Sequence, residues 1–267
     1  MKIGILLSHP ERIEEQFDII APMGFDTCQI YCGPMTDRYA ALIQNRTRDI
    51  GLEITTMVLP MAGYHSYKYP ENYITLGLVP ESLRLMRLEA FREGALYADS
   101  LGVKNLLTHI GFVSDNPFDR TRLEIEYLLG HFCDELKQRG QNLLLETGEI
   151  LPVTVVQMIT RIGRDNLFLN FDPCNLTSSG RANACDAMDL LHPWVRDFHA
   201  KDGTRPAGTE PKGHETRMGE GEVDFPTLIR KLKASGYDGS LTIERELTGG
   251  DEAADLRLAK ACLERWI

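Results

Sequence analysis

Short apolar runs alternate with amphipathic stretches from one end of the chain to the other. Eight of the runs read as strands: KIGILL (2–7), DTCQIY (26–31), LEITTMV (52–58), VKNLLTH (103–109), NLLLE (142–146), LFLNF (167–171), VRDFH (195–199) and SLTIE (240–244). Helical periodicity fills the intervals, most clearly at 82–100, 121–139 and 225–235. Strands this short and this continuously apolar suit a parallel sheet covered on both faces. Gly24, Gly51, Gly102, Gly140, Gly163 and Gly236 each stand between a helical stretch and the next strand, where a left-handed C′ residue is expected. The helix-to-strand links are short, whereas two strand-to-helix links, at about 60–81 and 203–224, are long. This asymmetry predicts a single (β/α)8 barrel of the α/β class, with its chemistry at the C-terminal ends of the strands. The rival is a doubly wound sheet, which would bind a nucleotide through a Gly-rich first turn. The first turn here is LLSHPERIEE, without a glycine. No linker or shift in composition divides the chain, so residues 1–267 are read as one domain.

With 267 residues, 43% of them hydrophobic, the chain can bury the core such a barrel requires. Its net charge of −10 repels phosphate backbones, and no Lys/Arg run offsets it, which argues against a nucleic-acid partner. No stretch has the make-up of a signal peptide or a membrane span, so a cytoplasmic location without a membrane partner is expected. The six cysteines are scattered, without a CxxC pair, and are expected to be reduced and mostly buried.

The candidate chemistry lies in the last residue of each late strand. The fifth strand ends on Glu146, the sixth leads into Asp172, the seventh ends on His199 and the eighth on Glu244. A lone polar residue at a strand end is ordinarily a solvated edge or a helix cap. Four on successive strands of a barrel would converge on one rim. Three carboxylates and one imidazole form a hard, oxygen-rich site for one divalent ion. Mn²⁺ is favoured, and Mg²⁺, Co²⁺ or Zn²⁺ would also be accommodated.

The segments LLLETGE, FDPCN, FHAKDG, GEGEVDFPTLI and GYDGSLTIERE resemble those of the xylose isomerase-like TIM barrels. That superfamily holds ketose 3-epimerases, hydroxypyruvate isomerase and inosose dehydratase. The resemblance runs over nearly the whole chain and is strongest from 142 to 247. It implies that Glu146, Asp172, His199 and Glu244 are the metal ligands. It also implies that Asn175, three residues after the Asp, and Arg205, six after the His, contact substrate. The second substrate-orienting Glu of the epimerases falls six residues after the first. Here Pro152 stands at that distance, and Glu149, only three residues on, is the candidate for that substrate contact. The implied activity is that of a metal-dependent isomerase or epimerase acting on a small keto-sugar or polyol ketone through an enediolate, with Glu146 and Glu244 as acid/base groups. A dehydratase using the same site is the alternative. An apurinic-site endonuclease and a non-catalytic sugar-binding barrel stand further off: seven His and the acidic charge suit a multi-zinc nuclease poorly. Homo-oligomers associating through loops on the catalytic face are a further expectation from the resemblance.

Other residues have two readings. Lys201 would steady a substrate oxygen or pair with Asp202 to close the barrel rim, the latter being the main role expected of Asp202. His109, ending the fourth strand, is a rim residue or a substrate contact. The tyrosines of MAGYHSYKYPENY (61–73) suit a lid over a sugar ring or a subunit contact. MGEGE (218–222) lacks the strand and Lys of a P-loop and reads as an ordering turn. Cys174, beside Asp172, is expected to pack as a neutral thiol.

Overall fold

The computed structural model describes residues 1–247 and 249–267. In chain order the elements are β1 (Lys2–Leu7), α1 (Ile13–Ile20), β2 (Thr27–Tyr31), α2 (Asp37–Ile50), β3 (Glu53–Val58), α3 (Asn72–Thr75), α4 (Glu81–Ser100), β4 (Asn105–Thr108), α5 (Arg120–Lys137) and β5 (Asn142–Glu146). There follow α6 (Pro152–Ile162), β6 (Leu167–Phe171), α7 (Pro173–Ser178), α8 (Ala184–Leu191), β7 (Val195–Ala200), β8 (Asp202–Gly203), β9 (Glu215–Thr216), α9 (Phe225–Ala234), β10 (Ser240–Ile243) and α10 (Glu252–Trp266). The strands β1–β7 and β10 close into a parallel barrel in the order β1-β10-β7-β6-β5-β4-β3-β2. All eight strands read from the sequence are present, displaced by at most two residues at an end. The six glycines named above all have positive φ, between 62° and 80°. The long segment after β7 holds one element beyond the sequence reading, the antiparallel pair β8–β9.

Strand alternation sorts the side chains into two cores. Leu143 and Leu145 of β5 face the helices and join the main core with Leu106, Leu169 and Leu241. Leu6, Val58, Leu107 and Leu144 face the lumen and form a separate small cluster, against which Tyr31 and Phe168 pack. The rest of the lumen is polar: Thr56 donates to Asp197 at 2.7 Å, and Gln29 donates to Asn170 and Thr242 at 3.3 and 3.4 Å. A buried polar network of this kind is tolerated when its members are satisfied and then fixes side-chain orientation.

Helix starts follow local chemistry. Asp119 caps α5 by accepting from the Arg122 N–H at 2.9 Å. Asp119→Ala is expected to lower unfolding free energy by about 1 kcal/mol, measured by urea titration. The six cysteines are all free thiols, four of them buried. Among the described residues, no helix is long and apolar enough to cross a membrane.

Candidate active site

The same alternation delivers the four candidate ligands. Leu144, Asn170, Asp197 and Thr242 face the lumen, and two residues further on stand Glu146, Asp172, His199 and Glu244. All four are buried, and each offers one ligand atom within 4.8 Å of the other three. Ligand atoms each about 2.0–2.3 Å from a common ion lie at most about 4.6 Å apart, so the cluster needs to contract only slightly to fit a divalent cation. Local structure explains which atoms are left over. Asp172 is the N-cap of α7, and its Oδ1 accepts from the Asn175 N–H at 2.7 Å, which leaves Oδ2 for the centre. Gln29 Oε1 lies 3.0 Å from His199 Nε2. The Gln29 amide nitrogen is engaged on Asn170 and Thr242, so its oxygen faces the imidazole. That contact assigns the proton to Nε2 and turns Nδ1 toward the carboxylates. Asp172 Oδ2, His199 Nδ1 and Glu244 Oε2 are buried with no aligned hydrogen bond among the described residues, although oppositely charged neighbours stand within ion-pair range. Three orphaned donor atoms of the right type aimed at one point fit a divalent ion.

Two cations flank the cluster, Lys201 buried and His109 half-buried. Lys201 Nζ lies 2.8 Å from Glu244, 3.1 Å from Asp172 and 3.2 Å from Glu246. His109 bridges Glu146, 3.2 Å from its Nε2, and Glu149, 2.8 Å from its Nδ1. Burial disfavours the His109 imidazolium, but the Glu146 and Glu149 carboxylates outweigh it and hold its pKa at about 10. Burial likewise opposes the charged form of Lys201, and Asp172 and Glu244 overcome it, raising its pKa. Burial would raise Glu244, but Lys201 and His199 hold it below the ordinary carboxylate value. For His109 the folded pKa exceeds an unfolded value of about 6.5. The stability it contributes is therefore fully present below pH 6.5 and lost as pH rises through about 10. In metal-free protein, the wild type is expected to exceed His109→Gln in unfolding free energy by more at pH 6 than at pH 10. Urea titrations of both proteins at the two pH values check this.

Two members of the cluster, Glu146 and Glu244, line a cleft of about 690 Å³, including space open to solvent. One wall is aromatic, with Tyr67, Tyr69, Tyr73 and Phe112; the other is polar, with Glu149, Asn175, Lys201 and Glu246. Of the residues expected to bind substrate, His109, Glu149, Asn175 and Lys201 are brought to this cleft. Asn175 donates to Glu146 Oε1 at 2.7 Å. Its approach depends on Gly148, where a Cβ would stand 2.5 Å from that of Asn175. Arg205 is placed elsewhere. It lies in a separate cleft with Cys185 and Asp224 and pairs with Glu222 at 2.9 Å, because the chain turns away into the β8–β9 hairpin after Gly203.

Asp202 corrects the rim-pair expectation. Neighbouring residues of an extended chain point to opposite sides, so Lys201 faces the cluster and Asp202 faces away from it. The Asp202 carboxylate accepts from the N–H groups of Gly203, Gly219, Gly221 and Val223 at 2.8–3.2 Å. The MGEGE turn thus wraps a carboxylate of its own chain, in keeping with an ordering role. Burial pushes the Cys174 thiol up, as expected for a neutral packing residue.

Two contributors, Gln29 and Glu246, escaped the sequence reading, and a third, Tyr67, was read only together with the other tyrosines of its loop. Gln29 had a usable signal, being a polar residue at a lumen-facing position of an apolar strand. Glu246 had another, standing two residues beyond Glu244. Tyr67 was one of five tyrosines and histidines in a loop, and nothing local distinguishes the one whose ring lies 5.5 Å from His109.

A family model described as xylose isomerase-like TIM barrel matches residues 17–266, and the chain belongs to that family. A xylose isomerase domain protein from Planctomyces limnophilus superposes with a TM-score of 0.89 at 25% identity, covering 99% of this chain and 96% of the other. A 3-keto-D-glucoside 4-epimerase of E. coli superposes with a TM-score of 0.76 at 20% identity over 99% of both chains. A protein of Bacillus anthracis described as a probable 3-DHS dehydratase gives 0.71 at 17% identity, covering 98% of this chain and 99% of its own. The latter two likenesses are of fold.

Proposed function

We propose that the protein is a divalent-metal-dependent isomerase or epimerase of a small keto-sugar or polyol ketone, working through an enediolate. The observation that carries this reading is the convergence of four buried ligand atoms, two of them on Glu146 and Glu244, which line a cleft with one aromatic and one polar wall. A bound divalent ion supplies Lewis acidity toward a carbonyl and its neighbouring hydroxyl. Glu146, Asp172, His199 and Glu244 would hold that ion. Glu146 ends β5 and Glu244 directly follows β10, with β6 and β7 between the two strands, so they approach a substrate from opposite sides. One removes the α-proton and the other returns it. Each has a cation beside it, His109 for Glu146 and Lys201 for Glu244, and Lys201 favours the carboxylate form of Glu244 between transfers. The aromatic wall offers packing for the apolar face of a sugar.

A lyase is the second reading, favoured by Lys201. A buried ammonium beside an acid/base carboxylate is placed to assist departure of a β-hydroxyl. Incubating the metal-loaded protein with a panel of keto-sugars and keto-inositols in D₂O, followed by NMR, tests both readings. Deuterium at an α-carbon with an epimeric or isomeric product supports the first; an unsaturated product supports the second. Absence of α-exchange across the panel, together with metal-dependent cleavage of abasic DNA, would replace both.

A further inference from the structure

Arg87, on α4, is fully buried and has no carboxylate partner among the described residues. Its guanidinium donates to main-chain carbonyls instead: Nε to Ala62 at 3.0 Å, Nη1 to Thr75 at 2.8 Å and to Gly77 at 2.5 Å, and Nη2 to Tyr64 at 2.7 Å. A buried cation is costly unless its donors are met, and here every guanidinium nitrogen has an acceptor. Two of the carbonyls come from the start of the β3–α4 connection and two from its end. The side chain therefore staples the neck of a compact loop over residues 62–77. That loop carries Tyr67, Tyr69, Asn72, Tyr73 and Leu76, which make one wall of the cleft. The loop is also seated on the segment after β4. The Leu78 N–H donates to the Ile110 carbonyl at 3.0 Å, Tyr73 stacks on Phe112 with centroids 4.0 Å apart, and a Cβ at Gly77 would collide with the Ile110 backbone.

We infer that Arg87 is a positioning residue that holds residues 62–77 as a preformed wall of the cleft and thereby sets the place of Tyr67 against His109. The loop is a fixed surface for substrate rather than a lid that closes over it. The inference rests on the proposed function only in taking the cleft as the substrate site.

Amide hydrogen exchange of the full chain tests it, with Arg87→Gly and Arg87→Lys beside the wild type. In the wild type, the Thr75, Leu76 and Leu78 amides, which donate to Glu71, Asn72 and Ile110, exchange slowly. In Arg87→Gly, exchange over 62–78 rises about tenfold or more, while β5–β7 keep their protection. Adding about 10 mM guanidinium, far below the molar range in which it unfolds proteins, restores slow exchange in the loop. Arg87→Lys, with three donors on one nitrogen, falls between. With a substrate identified, KM rises about tenfold in Arg87→Gly while kcat stays within about threefold, the pattern of lost ground-state binding. Free-peptide exchange of the loop in the wild type would overturn the inference. So would exchange rising throughout the barrel of the variant, or failure of Arg87→Gly to fold even with guanidinium, since either makes Arg87 a support of the whole fold. The exchange measurement needs no turnover, so a wild type that acts on no sugar would count against the proposed function and leave this result standing.

Discussion

Glu244→Gln is expected to abolish turnover while leaving a divalent ion bound. Glutamine retains an oxygen able to ligate but carries no transferable proton and no charge. The change removes one side of a two-sided proton transfer, and positioned acid/base groups are worth about 10²–10⁴-fold in rate. The loss should appear in kcat and kcat/KM together, because the interaction matters in the transition state. Metal affinity falls as well, since one of three carboxylates becomes neutral. Assays at saturating metal separate the two effects, with metal content measured on the same sample. Near-wild-type turnover in the fully loaded variant would mean that Glu244 is not an acid/base group.

Lys201→Met should change stability and activity in a way that only a charged cluster produces. The ammonium is buried among Asp172, Glu244 and Glu246. Its removal leaves Asp172 and Glu244 less compensated, and breaking a buried ion pair from one side costs about 3–5 kcal/mol. The metal-free variant is therefore expected to melt well below the wild type. A divalent ion supplies positive charge at the same oxygens, so metal should raise the variant's Tm by more than it raises that of the wild type. Thermal melts of both proteins with and without Mn²⁺ read this directly. Equal metal-induced shifts would mean that Lys201 and the ion do not share the electrostatic environment described. Turnover should still be lost in the loaded variant, since no other buried ammonium reaches Glu244 among the described residues.

Much of this was legible along the chain because a β/α barrel repeats one local grammar eight times. Each strand is a short apolar run, six of the helix-to-strand links carry a left-handed glycine, and period-two alternation carries a lumen-facing residue into the site two positions later. Glu146, Asp172, His199 and Glu244 were visible for that reason: each follows an apolar run at the end it points from. Residues whose place is set by non-local contacts were not visible. Arg205 stands at the family spacing from His199, yet the β8–β9 hairpin carries it to Glu222. Asp202 sits beside Lys201 in sequence but faces the opposite way, onto a glycine turn about twenty residues later. Arg87 reads as one more cation on an amphipathic helix, and its four carbonyl partners are defined only when the loop closes.

The central claim is that these four side chains hold one divalent ion at the aromatic cleft. Anomalous diffraction from crystals grown with Mn²⁺ tests it most directly. The account predicts one strong peak about 2.0–2.3 Å from Glu146, Asp172, His199 Nδ1 and Glu244, absent from crystals of His199→Ala grown in the same way. A peak held by other residues, or full Mn²⁺ saturation in solution with no peak at this cluster, would contradict it.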